Sequence, residues 1–166
     1  LSESNIQRGL ASAQWPGRLE LIHEQPQVFL DGAHNPAGAR ALARFWDEHF
    51  PGRRILLIYG AMRDKAVPEI TEILFPRAAT VILTRPDQAR ATAPETLRDI
   101  SHDLNQNLLV EQTPAEALER ALAMASPDDV IFATGSLFLV GDLRRKVFAE
   151  TAGGSKEIIP SAPLGR

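Results

Sequence analysis

The sequence has no cysteine among its 166 residues, so it can form no disulfide and offers no thiolate for catalysis. The absence agrees with a cytoplasmic protein, which is the location that we expect. No apolar run approaches the roughly 20 residues of a membrane-spanning helix, and the polar first residues do not form a signal peptide. The formal net charge of −3 is spread along the chain, which argues against a nucleic-acid surface. The chain also begins without methionine, and we expect it to be a piece of a longer protein.

The motifs of several enzyme classes are missing as well. There is no G-x-x-x-x-G-K-[ST] loop to hold the phosphates of ATP and no G-x-G-x-x-G fingerprint for a dinucleotide. No His or Cys/His spacing indicates a zinc site, and we expect no metal ligand in this chain. Gly135-Ser136 lacks the G-x-S-x-G pattern of a hydrolase nucleophile.

Short apolar strands alternate with amphipathic helices along most of the chain. The segment Ile55–Tyr59, for example, is a continuous apolar run of the kind buried on both faces of a sheet. We predict strands over residues 18–23, 28–30, 55–59, 80–84, 108–111 and 130–133, and helices over 3–13, 36–50, 65–74, 93–104, 114–124 and 136–150. This alternation predicts a Rossmann-like α/β domain over residues 1–150, with a mostly parallel sheet and helices on both faces. Residues 151–166 are rich in Gly, Pro and Ser and are predicted to be a disordered tail.

The most informative segment is Leu30-Asp31-Gly32-Ala33-His34-Asn35-Pro36, where a buried strand leads directly into a helix. Ligands of parallel sheets bind at this edge, and the helix start offers free N–H groups to phosphates and carboxylates. Asn35 alone would suffice to cap the helix, so Asp31 and His34 are candidates for a functional role.

Three other loops at the same predicted edge carry candidate side chains, each with a simpler alternative. Ser136 follows the last strand and could bind a ligand or only cap its helix. Lys65 and Arg90 follow two other strands and could be solvated charges, and Asp64 is a plausible N-cap. Arg18 could be no more than a charge that protects an edge strand from aggregation. A Ser136/His34/Asp31 triad is conceivable, although nothing in the sequence orients the histidine.

Five sequence blocks together resemble the C-terminal domain of the folylpolyglutamate synthases, which belong to the Mur ligase family and are often also dihydrofolate synthases. The blocks stand in the family's order between residues 6 and 148: Gly17-Arg18-Leu19-Glu20, Leu30 to Pro36, Gly60 with Asp64-Lys65, Arg90-Ala91, and Ala133-Thr134-Gly135-Ser136-Leu137.

The resemblance implies an ATP-dependent ligase that phosphorylates a folate carboxylate and joins L-glutamate to the resulting acyl phosphate. It implies that Arg18 and Asp31 contact ATP, and that His34 and Ser136 serve the glutamate site and the reaction centre. Asn35, Lys65 and Arg90 match family motifs and would have supporting roles. The phosphate-binding loop and the Mg²⁺ ligands would lie in an N-terminal ATPase domain of the same polypeptide, absent from this chain. The chain alone should therefore be inactive, because positioning both reactants is most of such a ligase's work.

Two alternatives remain open from the sequence. The first is a related ligase for cell-wall precursors or cyanophycin, although Gly17-Arg18-Leu19-Glu20 ahead of Asp-Gly-Ala-His-Asn-Pro favours the folate branch. The second is a stand-alone module that binds a nucleotide or an amino acid.

Overall fold

The computed structural model describes the backbone of residues 15–153 and the side chains of residues 15–149. The predicted helix over 3–13 and residues 154–166 of the predicted tail lie outside the described residues. The strands are β1 (Glu20–Glu24), β2 (Gln27–Leu30), β3 (Ile55–Tyr59), β4 (Thr80–Leu83), β5 (Leu108–Val110) and β6 (Val130–Thr134). The helices are α1 (Pro36–His49), α2 (Val67–Leu74), α3 (Pro94–Ser101), α4 (Pro114–Met124) and α5 (Leu137–Gly153), with a 3₁₀ turn over Phe75–Arg77.

The six strands form one sheet in the order β1-β2-β6-β3-β4-β5. All neighbours pair in parallel except β1, which runs antiparallel to β2 at one edge. The chain moves outward from β3 to β5 and then returns to place β6 between β2 and β3, so the strand order reverses there. The predicted α/β fold with a mostly parallel sheet is confirmed.

Helices cover both faces of this sheet, because the crossovers from β2 to β5 lead outward along the sheet and the crossover from β5 to β6 leads back. On one face, α1, α2 and α3 pack on a cluster that includes Phe29, Leu57 and Phe132. On the other face, α4 and α5 pack on a cluster that includes Leu30 and Ile131. All five residues of β3 and of β6 are buried, as expected for strands covered on both sides.

Proline marks the start of four of the five helices. Pro36, Pro68, Pro94 and Pro114 stand in the first turns of α1 to α4, where the missing N–H group costs nothing. The predicted Asp64 cap is wrong, because α2 begins at Val67 after Ala66, and no side chain caps it. The helix α5 extends to Gly153 and so occupies the first three residues of the predicted tail.

Within the part of the chain that the structure describes, no helix is long and apolar enough to cross a membrane.

Candidate active site at the carboxyl edge of the sheet

The loops that follow β2 and β6 are joined by hydrogen bonds at the point where the strand order reverses. The Ala33 carbonyl accepts one bond of 3.0 Å from the Gly135 amide and another of 3.2 Å from the Thr134 hydroxyl. The Asp31 amide in turn donates to the Ala133 carbonyl at 3.0 Å. These bonds place the predicted segment 31–35 directly beside the Thr-Gly-Ser segment, where ligands bind in open α/β sheets.

The close approach of these loops depends on Gly135. Its φ is +104°, and a Cβ there would lie 2.6 Å from a Tyr59 ring carbon and 2.7 Å from the Gly60 carbonyl oxygen. Only glycine satisfies both conditions. The ring of Tyr59 is fully buried at the end of β3, and burial raises the pKa of its hydroxyl well above the ordinary value.

Asp31 is a buried carboxylate whose two oxygens both accept backbone hydrogen bonds. Oδ1 accepts from the Ala33 amide at 2.9 Å, and Oδ2 accepts from the Leu19 amide at 3.1 Å. Leu19 has a φ of +46°, a left-handed conformation that non-glycine residues seldom adopt. Asp31 therefore fixes a strained turn ahead of β1 to the loop after β2.

The same turn is held by a second backbone contact. The Gly32 amide donates to the Gly17 carbonyl at 2.7 Å, so these two backbone segments approach closely. The turn presents the exposed Arg18 side chain, for which the described residues supply no hydrogen-bond or ion-pair partner. Arg18 and Asp31 line one small pocket of about 170 Å³. The structure thus brings together the two residues predicted to contact ATP.

His34 is half-buried and oriented by its own loop. Because a carbonyl oxygen can only accept, its Nδ1–H donates to the Gly32 carbonyl at 2.8 Å, which leaves Nε2 as the proton acceptor of the neutral ring. Asn35 caps α1, since its side-chain oxygen accepts from the Gly38 amide at 2.8 Å. The structure does not form the conceivable Ser136/His34/Asp31 triad. His34 Nδ1 is bonded to the Gly32 carbonyl, and both Asp31 oxygens are bonded to backbone amides.

Ser136 is buried at the start of α5, next to Gly135. Its hydroxyl oxygen accepts from the Phe138 amide at 3.1 Å, so it caps the helix. A hydroxyl that accepts a cap bond still has its proton to donate, which keeps a ligand role open. Ala33 and Gly135 are joined by a backbone hydrogen bond. His34 directly follows Ala33, and Ser136 directly follows Gly135, so both residues stand next to this contact.

Lys65 and Arg90 lie on two neighbouring loops farther along the edge. The Arg63 amide donates to the Arg90 carbonyl at 3.0 Å, which pairs the loop after β3 with the loop after β4. Lys65 pairs with its neighbour Asp64 at 3.6 Å, and the Asp64 side chain in this pair is 56% exposed. Both residues therefore reach the predicted edge, but no described contact joins either of them to Asp31 or His34.

A cleft of about 620 Å³ lies beyond these loops, between the chain after β4, the start of α4 and the middle of α5. Three of its charged side chains, Asp142, Arg145 and Lys146, form ion pairs. Asp142 pairs with Arg145 and also accepts from the Asp87 amide at 2.8 Å. At its border a hydrogen bond from Gln112 lowers the pKa of the exposed Glu95 carboxyl. We place the candidate site at Asp31 and His34 because the buried carboxylate and the free imidazole nitrogen are there.

The described residues, 15–149 for side chains, hold no group of three or more His, Asp or Glu side chains that could bind a metal ion.

Two residues of the site's framework were not predicted as such. The Glu20 carboxylate accepts from the Gly17 amide at 2.8 Å and from the Arg144 Nε at 2.9 and 3.2 Å. Glu20 lies in the strand predicted over residues 18–23, and its place in the Gly17-Arg18-Leu19-Glu20 block is the signal that could have found it. No local pattern could have found Arg144, which is 124 residues away in the sequence.

These features agree with a family match. The model of the Mur ligase glutamate ligase domain matches residues 17–137, well over half of the chain. The chain belongs to the Mur ligase family, and the matched part is the glutamate ligase domain of that family. The matched range includes the turn before β1, the whole sheet and the first residue of α5.

Several proteins that this chain resembles are folylpolyglutamate synthases. A "Probable bifunctional folylpolyglutamate synthase/dihydropteroate synthase" of Haloferax volcanii is 41% identical over 140 residues, which are 84% of this chain and 16% of that protein. The dihydrofolate synthase/folylpolyglutamate synthase of Bacillus subtilis is 31% identical over 147 residues, 89% of this chain and 34% of that protein. The structure of E. coli FolC in complex with DHPP and ADP superposes with a TM-score of 0.83 at 27% identity, covering 90% of this chain and 35% of that one. The chain thus spans about a third or less of the proteins it matches.

Proposed function

We propose that this chain is the C-terminal domain of an ATP-dependent ligase that adds L-glutamate to folates. The observation that supports it best is the adjacency of two pairs at one sheet edge. Arg18 and Asp31 share a pocket, and His34 and Ser136 flank a backbone contact between neighbouring loops. An ATP-dependent ligase needs a nucleotide site and an amine site side by side, because ATP activates the carboxylate that the amine then attacks.

Arg18 and Asp31 serve the nucleotide in this proposal. The guanidinium of Arg18 offsets the negative charge that develops on the transferred phosphate. Each Asp31 oxygen accepts one backbone bond and has a second lone pair, with which it accepts from a hydroxyl of ATP.

His34 acts on the amine. The glutamate ammonium gives up a proton to His34 Nε2, which is the basic nitrogen because Nδ1–H is bonded to Gly32. The free amine then forms a bond to the carbonyl carbon of the acyl phosphate. The bond from that carbon to the phosphate oxygen breaks, phosphate leaves with the electron pair, and the leaving phosphate takes the second proton from the new amide nitrogen.

Ser136 holds the incoming amino acid. Its hydroxyl proton is a donor to a glutamate carboxylate, at the start of a helix where negative charge is stabilised. Asn35 supports this arrangement by fixing the start of α1 beside His34. Lys65 and Arg90 supply positive charge on the neighbouring loops and have supporting roles.

The phosphates of ATP and the Mg²⁺ ion require residues outside this chain. The sequence has no phosphate-binding loop, and the donor set of the described residues does not suit a magnesium ion. We assign both to an N-terminal ATPase domain of the same polypeptide. The isolated chain should therefore have no ligase activity.

Substitution of His34 in the full-length enzyme tests this proposal. Asn at this position keeps a donor near the Nδ1 position and Gln keeps one near the Nε2 position, but neither is a base. With tetrahydrofolate or dihydropteroate, ATP and L-glutamate as substrates, we expect both variants to release ADP at least about 10²-fold more slowly than the wild type. Their fold should remain intact. The exposed His49, whose Nδ1 donates to the Phe45 carbonyl, provides the matched control as His49→Asn. Wild-type turnover in both His34 variants would refute the assignment.

A further inference from the structure

We propose that Arg144 is a positioning residue for Arg18, acting through Glu20 and the turn before β1. The inference rests on the proposed role of Arg18 at the nucleotide. It adds that the position of this cation is set from α5, a helix on the opposite face of the sheet from α1.

The Glu20 carboxylate is the link between the turn and the helix. Its side chain is only 11% exposed, and it accepts the Gly17 amide at 2.8 Å on Oε2. Arg144 Nε reaches both carboxylate oxygens, at 2.9 and 3.2 Å. A hydrogen bond between charged partners is stronger than a neutral one, so Arg144 gives Glu20 a fixed orientation.

The turn needs such support because its backbone is strained. Leu19 has a φ of +46°, which is unfavourable for a residue with a side chain, whereas Gly17 adopts its φ of +72° readily. A strained turn persists only when surrounding contacts hold it. Asp31 and Gly32 hold one side of the turn, and Glu20 with Arg144 holds the other.

Arg18 depends on this turn for its position. Its exposed side chain has no hydrogen-bond or ion-pair partner among the residues that the structure describes, so only its backbone places it. The Arg18 amide itself is bonded to the Trp15 carbonyl at 3.1 Å, within the turn. Loosening the turn therefore displaces the one candidate phosphate cation in it.

Charge compensation gives Arg144 a second effect. Glu20 stands two residues from Arg18, and its negative charge would repel a phosphate group if it were unpaired. The Arg144 guanidinium neutralises it from a fixed place, 4.6 Å from the Phe148 ring centroid.

The test compares Arg144→Gln, Arg144→Lys and Arg145→Gln in the full-length enzyme. Arg145 is adjacent on α5 and pairs only with Asp142 among described side chains, so it is the matched control. We expect Arg144→Gln to raise KM for ATP roughly tenfold, with KM for glutamate and folate within about twofold of wild type. Arg144→Lys should recover much of that loss because it restores the charge, and Arg145→Gln should match wild type.

Amide hydrogen exchange at Gly17 and Leu19 is the structural readout. Faster exchange in Arg144→Gln, together with the raised KM for ATP, supports the inference. Unchanged exchange overturns it, whatever the kinetics. Faster exchange with an unchanged KM for ATP also overturns it, provided that Arg18→Ala raises that KM. An Arg18→Ala variant with wild-type KM for ATP refutes instead the proposed role of Arg18.

Discussion

The Oδ2 atom of Asp31 accepts a hydrogen bond of 3.1 Å from the amide of Leu19, a residue twelve positions earlier in the chain. The other oxygen closes the loop after β2 through the Ala33 amide. One buried carboxylate therefore fixes two loops of the candidate site at once. A change at Asp31 alters the shape of the site in addition to removing a possible contact with ATP.

Substitution of Asp31 should lower stability as well as activity. In Asp31→Ala, the Leu19 and Ala33 amides lose a charged acceptor in a buried setting, which costs about 1–3 kcal/mol for each unsatisfied group. We expect the free energy of unfolding, measured with urea, to fall by roughly 2–6 kcal/mol. Asp47→Ala is the matched control, because Asp47 is 60% exposed and pairs with Arg77 only at 3.6 Å. A loss no larger than that of the control would contradict the structural role of Asp31.

Ser136→Ala separates helix capping from substrate binding. Loss of the cap bond to the Phe138 amide should cost about 0.5–2 kcal/mol of stability. Thr113→Ala removes the capping box of α4, in which Thr113 and Glu116 cap each other, and should cost a similar amount. In the full-length enzyme only Ser136→Ala should raise KM for glutamate. If both variants change the KM for glutamate equally, Ser136 only caps α5 and does not bind the substrate.

Gly135→Ala should be strongly destabilising. The new Cβ would overlap the Tyr59 ring and the Gly60 carbonyl, and the backbone φ of +104° is unfavourable for alanine. Steric overlap and backbone strain together predict a loss of about 3 kcal/mol or more. Gly52 has a φ of +73° but open space around it, so Gly52→Ala isolates the strain and should cost only about 1–2 kcal/mol. Thermal and urea unfolding of both variants would reveal whether the close approach matters.

The single tyrosine of the chain gives a direct measure of burial at the site. Burial raises the pKa of Tyr59 in the folded state, so the unfolded chain loses its proton first as the pH rises. The contribution of Tyr59 to stability is therefore complete below its ordinary pKa of about 10 and falls above it. Ultraviolet titration of the 166-residue chain should show tyrosinate only when the protein unfolds. Reversible ionisation near pH 10 with the fold intact would show that Tyr59 is open to solvent.

The fold was accessible from the sequence because its strands are short, apolar and separated by helices. The run Ile55–Tyr59 is typical of a strand covered on both faces, and the structure buries all five residues. Helix starts were less certain. Asp64 has the chemistry of a cap, but the turn at residues 62–65 comes first, and Pro68 was the better signal for the start of α2.

The site was accessible only where its residues are local in sequence. Asp31, His34 and Asn35 stand in one turn, and the contacts of Asn35 agree with its predicted cap. The Glu20–Arg144 pair joins the first strand to the last helix, and no spacing rule links residues that far apart. The positional roles of Asp31 and Glu20 likewise depend on backbone amides, which every sequence has and no pattern marks.

The antiparallel course of β1 has a practical consequence. Because β1 runs against β2, its first residue faces Leu30 near the candidate site, while the turn after Glu24 lies at the opposite end of the sheet. A cysteine introduced at the exposed Gln25 would be the only thiol of the chain. It would carry a fluorophore in the turn that directly follows β1, a full strand length away from the candidate site.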